Sequence, residues 1–127
     1  MKFTKYTFLI AGVYGLLALL PMYLMEARYG ADNPPEITHP EFYYGFIGVA
    51  VAFQLVFIII SLDPVKYRAL ILPSIVEKFS FVVAIAALVA AGRVSGQIVI
   101  GAAIDAVLGT LFTLAHFRLS RAEAASR

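Results

Sequence analysis

The acidic residue Asp105 is the side chain of this chain best placed to do chemistry, because it lies inside a long apolar stretch. It stands eight residues after Gln97, where that stretch begins, which corresponds to about 12 Å of helix. A carboxylate at this depth in a membrane costs several kcal/mol unless it is paired, hydrogen-bonded or protonated. Two interpretations of Asp105 are therefore open. It is either a proton site or an anchor for a cationic or hydroxylated ligand, or it is a neutral or hydrogen-bonded structural acid that fixes helix packing.

Glu77 is a second acid within an apolar stretch, about 9 Å inside the predicted cytoplasmic boundary. Its neighbours at helical spacing share small side chains: Ser80, Ala84, Ala87 and Ala91. Small residues favour close helix packing, so this face predicts that Glu77 points into a bundle. The adjacent Lys78 is expected to extend to the cytoplasmic headgroups. The rival arrangement turns Lys78 inward as the counter-ion of Glu77 or Asp105.

Gln54 and Tyr14 supply polar groups at comparable depth in two further apolar stretches. The four stretches thus predict one polar slab, formed by Tyr14, Gln54, Glu77 and Asp105. If their faces converge, these residues line a ligand-binding pocket. The alternative is a set of separate interhelical hydrogen bonds, each worth about 1 kcal/mol.

The apolar stretches themselves predict transmembrane helices. Hydrophobic residues make up 61% of the 127 residues and charged residues only 14%. Four runs have the roughly 17–25 residues needed to cross a bilayer, over residues 8–25, 42–61, 70–91 and 97–117. The connections on both sides of the third run are short, which makes consecutive helices antiparallel neighbours. We therefore predict an all-α integral membrane antiparallel four-helix bundle that forms a single domain over residues 1–127.

The distribution of basic residues predicts the orientation. Only Arg28 and Arg93 lie on one predicted side, and the other basic residues lie on the opposite side or at its rim. By the positive-inside rule, both termini are cytoplasmic. The sequence predicts a multi-pass protein of the bacterial inner membrane, with the lipid bilayer as its first partner.

Two segments outside the spans are predicted to be irregular. Residues 27–41 contain Asn33-Pro34-Pro35 and His39-Pro40, which disfavour helix and indicate an extended or turning path. Residues 120–127 are polar and are expected to form a frayed tail.

Composition excludes several classes of function. The chain has no cysteine, so disulfides and thiolate chemistry are excluded. The histidines His39 and His116 are predicted on opposite sides of the membrane, and the acids beside His39 are more typical of a solvated loop than of a metal site. No nucleophile–base pair or phosphate-binding loop is present, and the scattered basic residues give no support to nucleic-acid binding. We expect no catalytic residues, no metal and no cofactor.

One stretch carries a resemblance. Asp63-x-x-Lys66-Tyr67-Arg68, followed ten residues on by Glu77, resembles the corresponding part of EXPERA-type four-helix membrane proteins. The chain as a whole is similar to small bacterial four-span proteins, including DoxX-like ones. The resemblance implies a four-helix fold rather than a particular activity.

Three functions are compatible with these features. The first is a noncatalytic accessory or packing subunit of a larger membrane complex, with partner subunits or further copies on its apolar surfaces. The second is a binder or carrier of a small lipophilic or cationic molecule in a pocket lined by Glu77, Asp105 and Gln54. The third is a membrane isomerase that uses the two acids for proton transfer. Small size, minimal loops and the absence of a catalytic motif favour the first.

Overall fold

The computed structural model describes residues 1–127 and contains helices and turns but no strand. The α-helices are α1 (Lys2–Leu19), α2 (Glu26–Asp32), α3 (Pro40–Leu62), α4 (Ile71–Ala90) and α5 (Gln97–Ala125). Short 3₁₀ helices over Leu20–Leu24 and Arg68–Leu70 extend α1 and precede α4, respectively.

Four helical segments are long and apolar enough to cross a membrane: Lys2–Leu24, Pro40–Leu62, Arg68–Ala90 and Gln97–Ala125. The prediction of an all-helical chain with four long apolar helices is therefore confirmed. The first helix begins earlier than the apolar run it contains, because Lys2-Phe3-Thr4-Lys5 continues the same helical path.

Residues 33–39 lie outside any helix, as the proline-containing elements predict, but the structure differs from the predictions in two neighbouring stretches. Residues 26–32 form the short helix α2, which ends at Asp32, just before the Asn33-Pro34-Pro35 stretch that cannot continue it. The predicted frayed tail is helical to Ala125. There an ion pair between Glu123 and Arg68 joins the end of α5 to the segment that precedes α4.

The four long helices associate as two pairs, in which α1 packs mainly on α3 and α4 mainly on α5. Glycines permit the closest approaches. A Cβ on Gly12 would lie 2.9 Å from the backbone oxygen of Gln54 in α3. A Cβ on Gly109 would lie 2.9 Å from the ring of Phe79 in α4. Each glycine therefore seats its helix against the partner of its pair.

The two pairs meet at one end of the molecule, which we call the termini end. Phe8, Phe57 and Phe112 are fully buried there, and the Phe8 ring stacks on Phe112 with centroids 4.2 Å apart. The other members of this core are Ala11, Ile60, Ile71, Ala115 and Leu119. Towards the opposite end, the loop end, which carries residues 25–39 and 91–96, the pairs part around a cavity.

Candidate ligand-binding cavity and its ion cluster

Lys78 lies at the centre of a cluster of charged groups between α4 and α5. Its side chain is inside the protein, with the residue only 5% exposed. The Nζ atom donates a hydrogen bond of 3.1 Å to Oδ1 of Asp105 and lies 3.6 Å from Oε2 of Glu77. The expectation that Lys78 extends to the headgroups was therefore wrong. Because α5 presents the Asp105 carboxylate to this face of α4, pairing offsets the cost of burying the ammonium group.

The ammonium group also contacts the aromatic core. Nζ of Lys78 lies over the ring of Phe57, 5.2 Å from its centroid, which is within the range of a cation–π interaction. Lys78 therefore contacts α5 through a carboxylate and α3 through a ring. It joins the two helix pairs where the core ends and the cavity begins.

Glu77 lies at the edge of the cluster rather than on a packed interface. Of the predicted small-residue face, Glu77 and Ser80 line the cavity between the helix pairs, whereas Ala84, Ala87 and Ala91 are exposed and do not pack inside the bundle. The buried face of α4 instead contains Ile71, Ser74, Lys78 and Ile85. The helix α4 is thus rotated about its axis relative to the predicted orientation. The Lys78–Asp105 pair accounts for this rotation, because it turns the face that carries Lys78 towards α5. Glu77 is left on the wall of the cavity, with its Oε2 atom buried and without a hydrogen bond.

Gln54 is held in the wall formed by α1 and α3. It is 2% exposed, and its Nε2 atom donates a 2.9 Å hydrogen bond to the backbone oxygen of Ala50. Its Oε1 atom occupies the space that a side chain on Gly15 would fill, and it has no donor. The missing side chain at Gly15 therefore makes the notch that seats the Gln54 amide.

The cavity has a volume of about 820 Å³ and lies between the two helix pairs. Its walls include all four residues predicted to bind a ligand, namely Tyr14, Gln54, Glu77 and Asp105. Tyr14 is the most peripheral of them, since it is 45% exposed. The remaining walls are largely apolar or aromatic, and they include Phe46, Phe81, Tyr29 and Ile104.

The charges at the base of the cavity do not cancel. With all three groups ionised, two carboxylates and one ammonium leave a net charge of −1 (−2 + 1) in largely apolar surroundings. Coulombic attraction is stronger there than in water because the effective dielectric constant is lower. The base can therefore attract a cation or hold a proton. No group of three or more His, Asp or Glu side chains is arranged to hold a metal ion.

Sequence reasoning placed Lys78 in the site only as the rival arrangement, and it did not find the aromatic walls of the cavity. A signal for Lys78 was present, because it follows one membrane acid directly and lies at helical depth similar to the other. Phe46, Phe81 and Tyr29 carried no signal, since aromatic residues are common in spans and at membrane interfaces. They line the cavity because the two helix pairs separate towards the loop end, which the sequence does not show.

No family model matches this chain, and no significant match occurs among curated proteins or solved structures. The resemblance to EXPERA-type and DoxX-like proteins therefore stays a prediction.

Proposed function

We propose that this chain is an integral membrane protein whose four long helices form an antiparallel bundle, with both termini in the cytoplasm. Four helices of sufficient length and hydropathy support insertion. The excess of Lys and Arg at the termini end supports the orientation. A bacterial inner membrane fits this topology, and we propose with it a resemblance to DoxX-like or EXPERA-like four-helix proteins.

We propose further that the protein binds a small lipophilic cation, such as a protonated amine, in the cavity between the helix pairs. The observation that carries the proposal is the joint presence of Glu77, Lys78 and Asp105 at the base of one large cavity. Its volume of about 820 Å³ falls within the range typical of sites for drug-sized ligands. The apolar walls match a hydrocarbon body, and the surplus carboxylate matches a single positive charge.

Lys78 gives this site a built-in competitor. Its ammonium group already occupies the position between the carboxylates of Asp105 and Glu77. An incoming ammonium competes with Lys78 for the carboxylates of Glu77 and Asp105. The site is thus suited to reversible binding, because the Lys78 ammonium re-forms its pair with Asp105 when the ligand leaves.

The proposal is tested with two probes of nearly equal shape, 4-phenylbutylamine and the uncharged 4-phenylbutanol. Binding to the purified chain in lipid nanodiscs is measured by calorimetry at pH 7. We expect the amine to bind about tenfold or more tightly than the alcohol, since only the amine gains the charge-assisted hydrogen bonds. Empty nanodiscs correct for partition into lipid.

The matched variants are Glu77→Gln in the cavity and Glu123→Gln at the termini end, outside the cavity, which make the same chemical change. Glu77→Gln should weaken amine binding, and Glu123→Gln should leave it unchanged. Equal affinity for amine and alcohol, or equal effects of the two variants, would refute the proposal.

An accessory role in a larger membrane complex is the alternative. The many exposed apolar side chains on the long helices suit lipid and partner helices equally well, so they do not favour either. A chain that is monodisperse alone and responds to the amine speaks for ligand binding. A chain that needs partner subunits for solubility and ignores the amine speaks for the accessory role. No specific contact favours the isomerase hypothesis.

A further inference from the structure

We infer that the cavity is a one-sided vestibule, which admits cations from the water at the loop end and is closed towards the termini end. The inference deepens the proposed function and depends on the proposed membrane insertion. It assigns the ligand to the exoplasmic side and makes the protein a capture site rather than a pore.

The walls of the cavity run from the loop end down to the charged cluster. Met22, Tyr29 and Gln97 line its upper part, and they lie at or beyond the ends of the long helices. Asp105 lines its base, eight residues along α5 from Gln97, or about 12 Å of helix. One continuous space therefore connects the polar loops to the buried carboxylates.

The termini end offers no corresponding path. Phe8, Phe57 and Phe112 fill the space between the helix pairs there, each at 0% exposure. The centroids of Phe57 and Phe112 are 4.9 Å apart, which leaves no room for water between the rings. None of the three rings lines the cavity. The cation–π contact of Lys78 with Phe57 marks the floor of the vestibule.

Charge and shape both favour the route through the loop end. Loop-end residues 26–41 carry Glu26, Asp32, Glu36 and Glu41, against Arg28 and the more distant Arg93 as bases on that side. A surplus of acids around a mouth raises the local concentration of cations. The stacked rings of Phe46 and Phe81, 6.3 Å apart, narrow the lateral gap between α3 and α4.

The absence of native cysteine allows a direct test by cysteine accessibility. Gly101→Cys places a thiol in the cavity wall, where a Cβ has no neighbour within 4 Å. Ser80→Cys is a second cavity variant, which keeps the test decisive if the first does not fold. Gly45→Cys is the matched control, since it lies on the exposed face of α3, outside the cavity, with the same open space.

The reagents are two membrane-impermeant methanethiosulfonates, one cationic (trimethylammonium) and one anionic (sulfonate). They are added to the outside or the inside of proteoliposomes. Two reference variants report the orientation of the protein: Thr38→Cys marks the loop end, and Ser126→Cys marks the termini end. We expect Gly101→Cys to react from the loop side alone. We also expect its ratio of cationic to anionic rates to exceed that of Gly45→Cys by about tenfold, and Asp105→Asn to reduce this ratio.

Three results would overturn the inference. Reaction of Gly101→Cys from the termini side, or from both sides, would indicate a continuous pore. Reaction with a lipophilic maleimide but with neither charged reagent would indicate access from the bilayer. An equal ratio of cationic to anionic reaction rates at Gly101→Cys and Gly45→Cys would show that the charged cluster does not attract cations into the cavity. None of these results depends on 4-phenylbutylamine, so a chain that binds the amine and fails here retains the proposed function.

Discussion

The ammonium nitrogen of Lys78 on α4 lies 3.1 Å from Oδ1 of Asp105 on α5, although the two residues are 27 positions apart in the chain. This pair fixes which face of α4 turns towards α5 and places Glu77 on the cavity wall. It also ends the aromatic core, because the same ammonium contacts the ring of Phe57. The architecture of the site therefore depends on one ion pair.

The first prediction concerns the stability of this pair. Lys78→Met leaves the carboxylates of Glu77 and Asp105 without their cation, and Asp105→Leu leaves Lys78 with only its 3.6 Å contact to Glu77, so each variant should lower the free energy of unfolding by about 3 kcal/mol. The double variant should be markedly more stable than the sum of the single effects predicts, because it removes both members of the closest pair and leaves only Glu77. Thermal unfolding of the four proteins in one detergent measures the cycle. Strictly additive losses would show that the two residues do not interact.

The second prediction concerns ligand affinity. Lys78→Gln removes the internal competitor and leaves two carboxylates at the base of the cavity. Where the variant folds, its affinity for 4-phenylbutylamine should rise by about tenfold, which corresponds to about 1.4 kcal/mol. Lys66→Gln makes the same change at an exposed position and should have no effect. Unchanged or weaker amine binding in Lys78→Gln would show that the ligand does not displace the lysine.

The third prediction concerns the notch at Gly15. A methyl group there would occupy the position of the Gln54 amide oxygen, so Gly15→Ala should cost about 1–3 kcal/mol through overpacking. Gly45→Ala meets no atom within 4 Å and should be neutral or stabilising by up to about 1 kcal/mol. Unfolding of both variants is measured under identical conditions. Equal stability of the two variants would contradict the close fit of Gln54 against α1.

The fourth prediction concerns the closed end. Phe112 contacts both Phe8 and Phe57, and Phe112→Ala should lower stability by about 3–5 kcal/mol. The space left between the helix pairs should also expose a cavity thiol, in Gly101→Cys, to charged reagents from the termini side. Leu114→Ala, at an exposed position on the same helix, serves as the control. If Phe112→Ala leaves labelling confined to the loop side, the aromatic rings are not the barrier.

Much of the helical layout could be predicted because hydropathy and helix length are local properties of the chain. The polar residues Gln54, Glu77 and Asp105 could be singled out for the same reason, since a polar group inside an apolar run is visible in the sequence. The rotation of α4 about its axis could not be predicted from the sequence. It depends on whether Lys78 is stabilised by the headgroups or by a carboxylate on a neighbouring helix, and that choice is settled only by how α4 packs on α5.

The helix at residues 26–32 and the helical end of α5 were missed for a related reason. The prolines in residues 27–41 show where a helix must end, but they do not prevent the residues before Asn33 from forming a helix. At the C-terminus, pairing of Glu123 with Arg68 supports the last turns of α5. Composition alone therefore predicts neither the helix α2 nor the helical end of α5.

The most direct test of the proposed ligand site is the distance between a bound amine and Asp105. Solid-state NMR on the protein in bilayers can measure it from dipolar coupling between ¹⁵N-labelled 4-phenylbutylamine and the ¹³Cγ carbons of labelled aspartates. The chain has only two other aspartates, Asp32 and Asp63, and Asp105→Asn removes the signal of interest. We predict a nitrogen–carbon distance of about 4 Å or less, as a direct hydrogen bond requires. No coupling to Asp105 at saturating amine would contradict the proposed site.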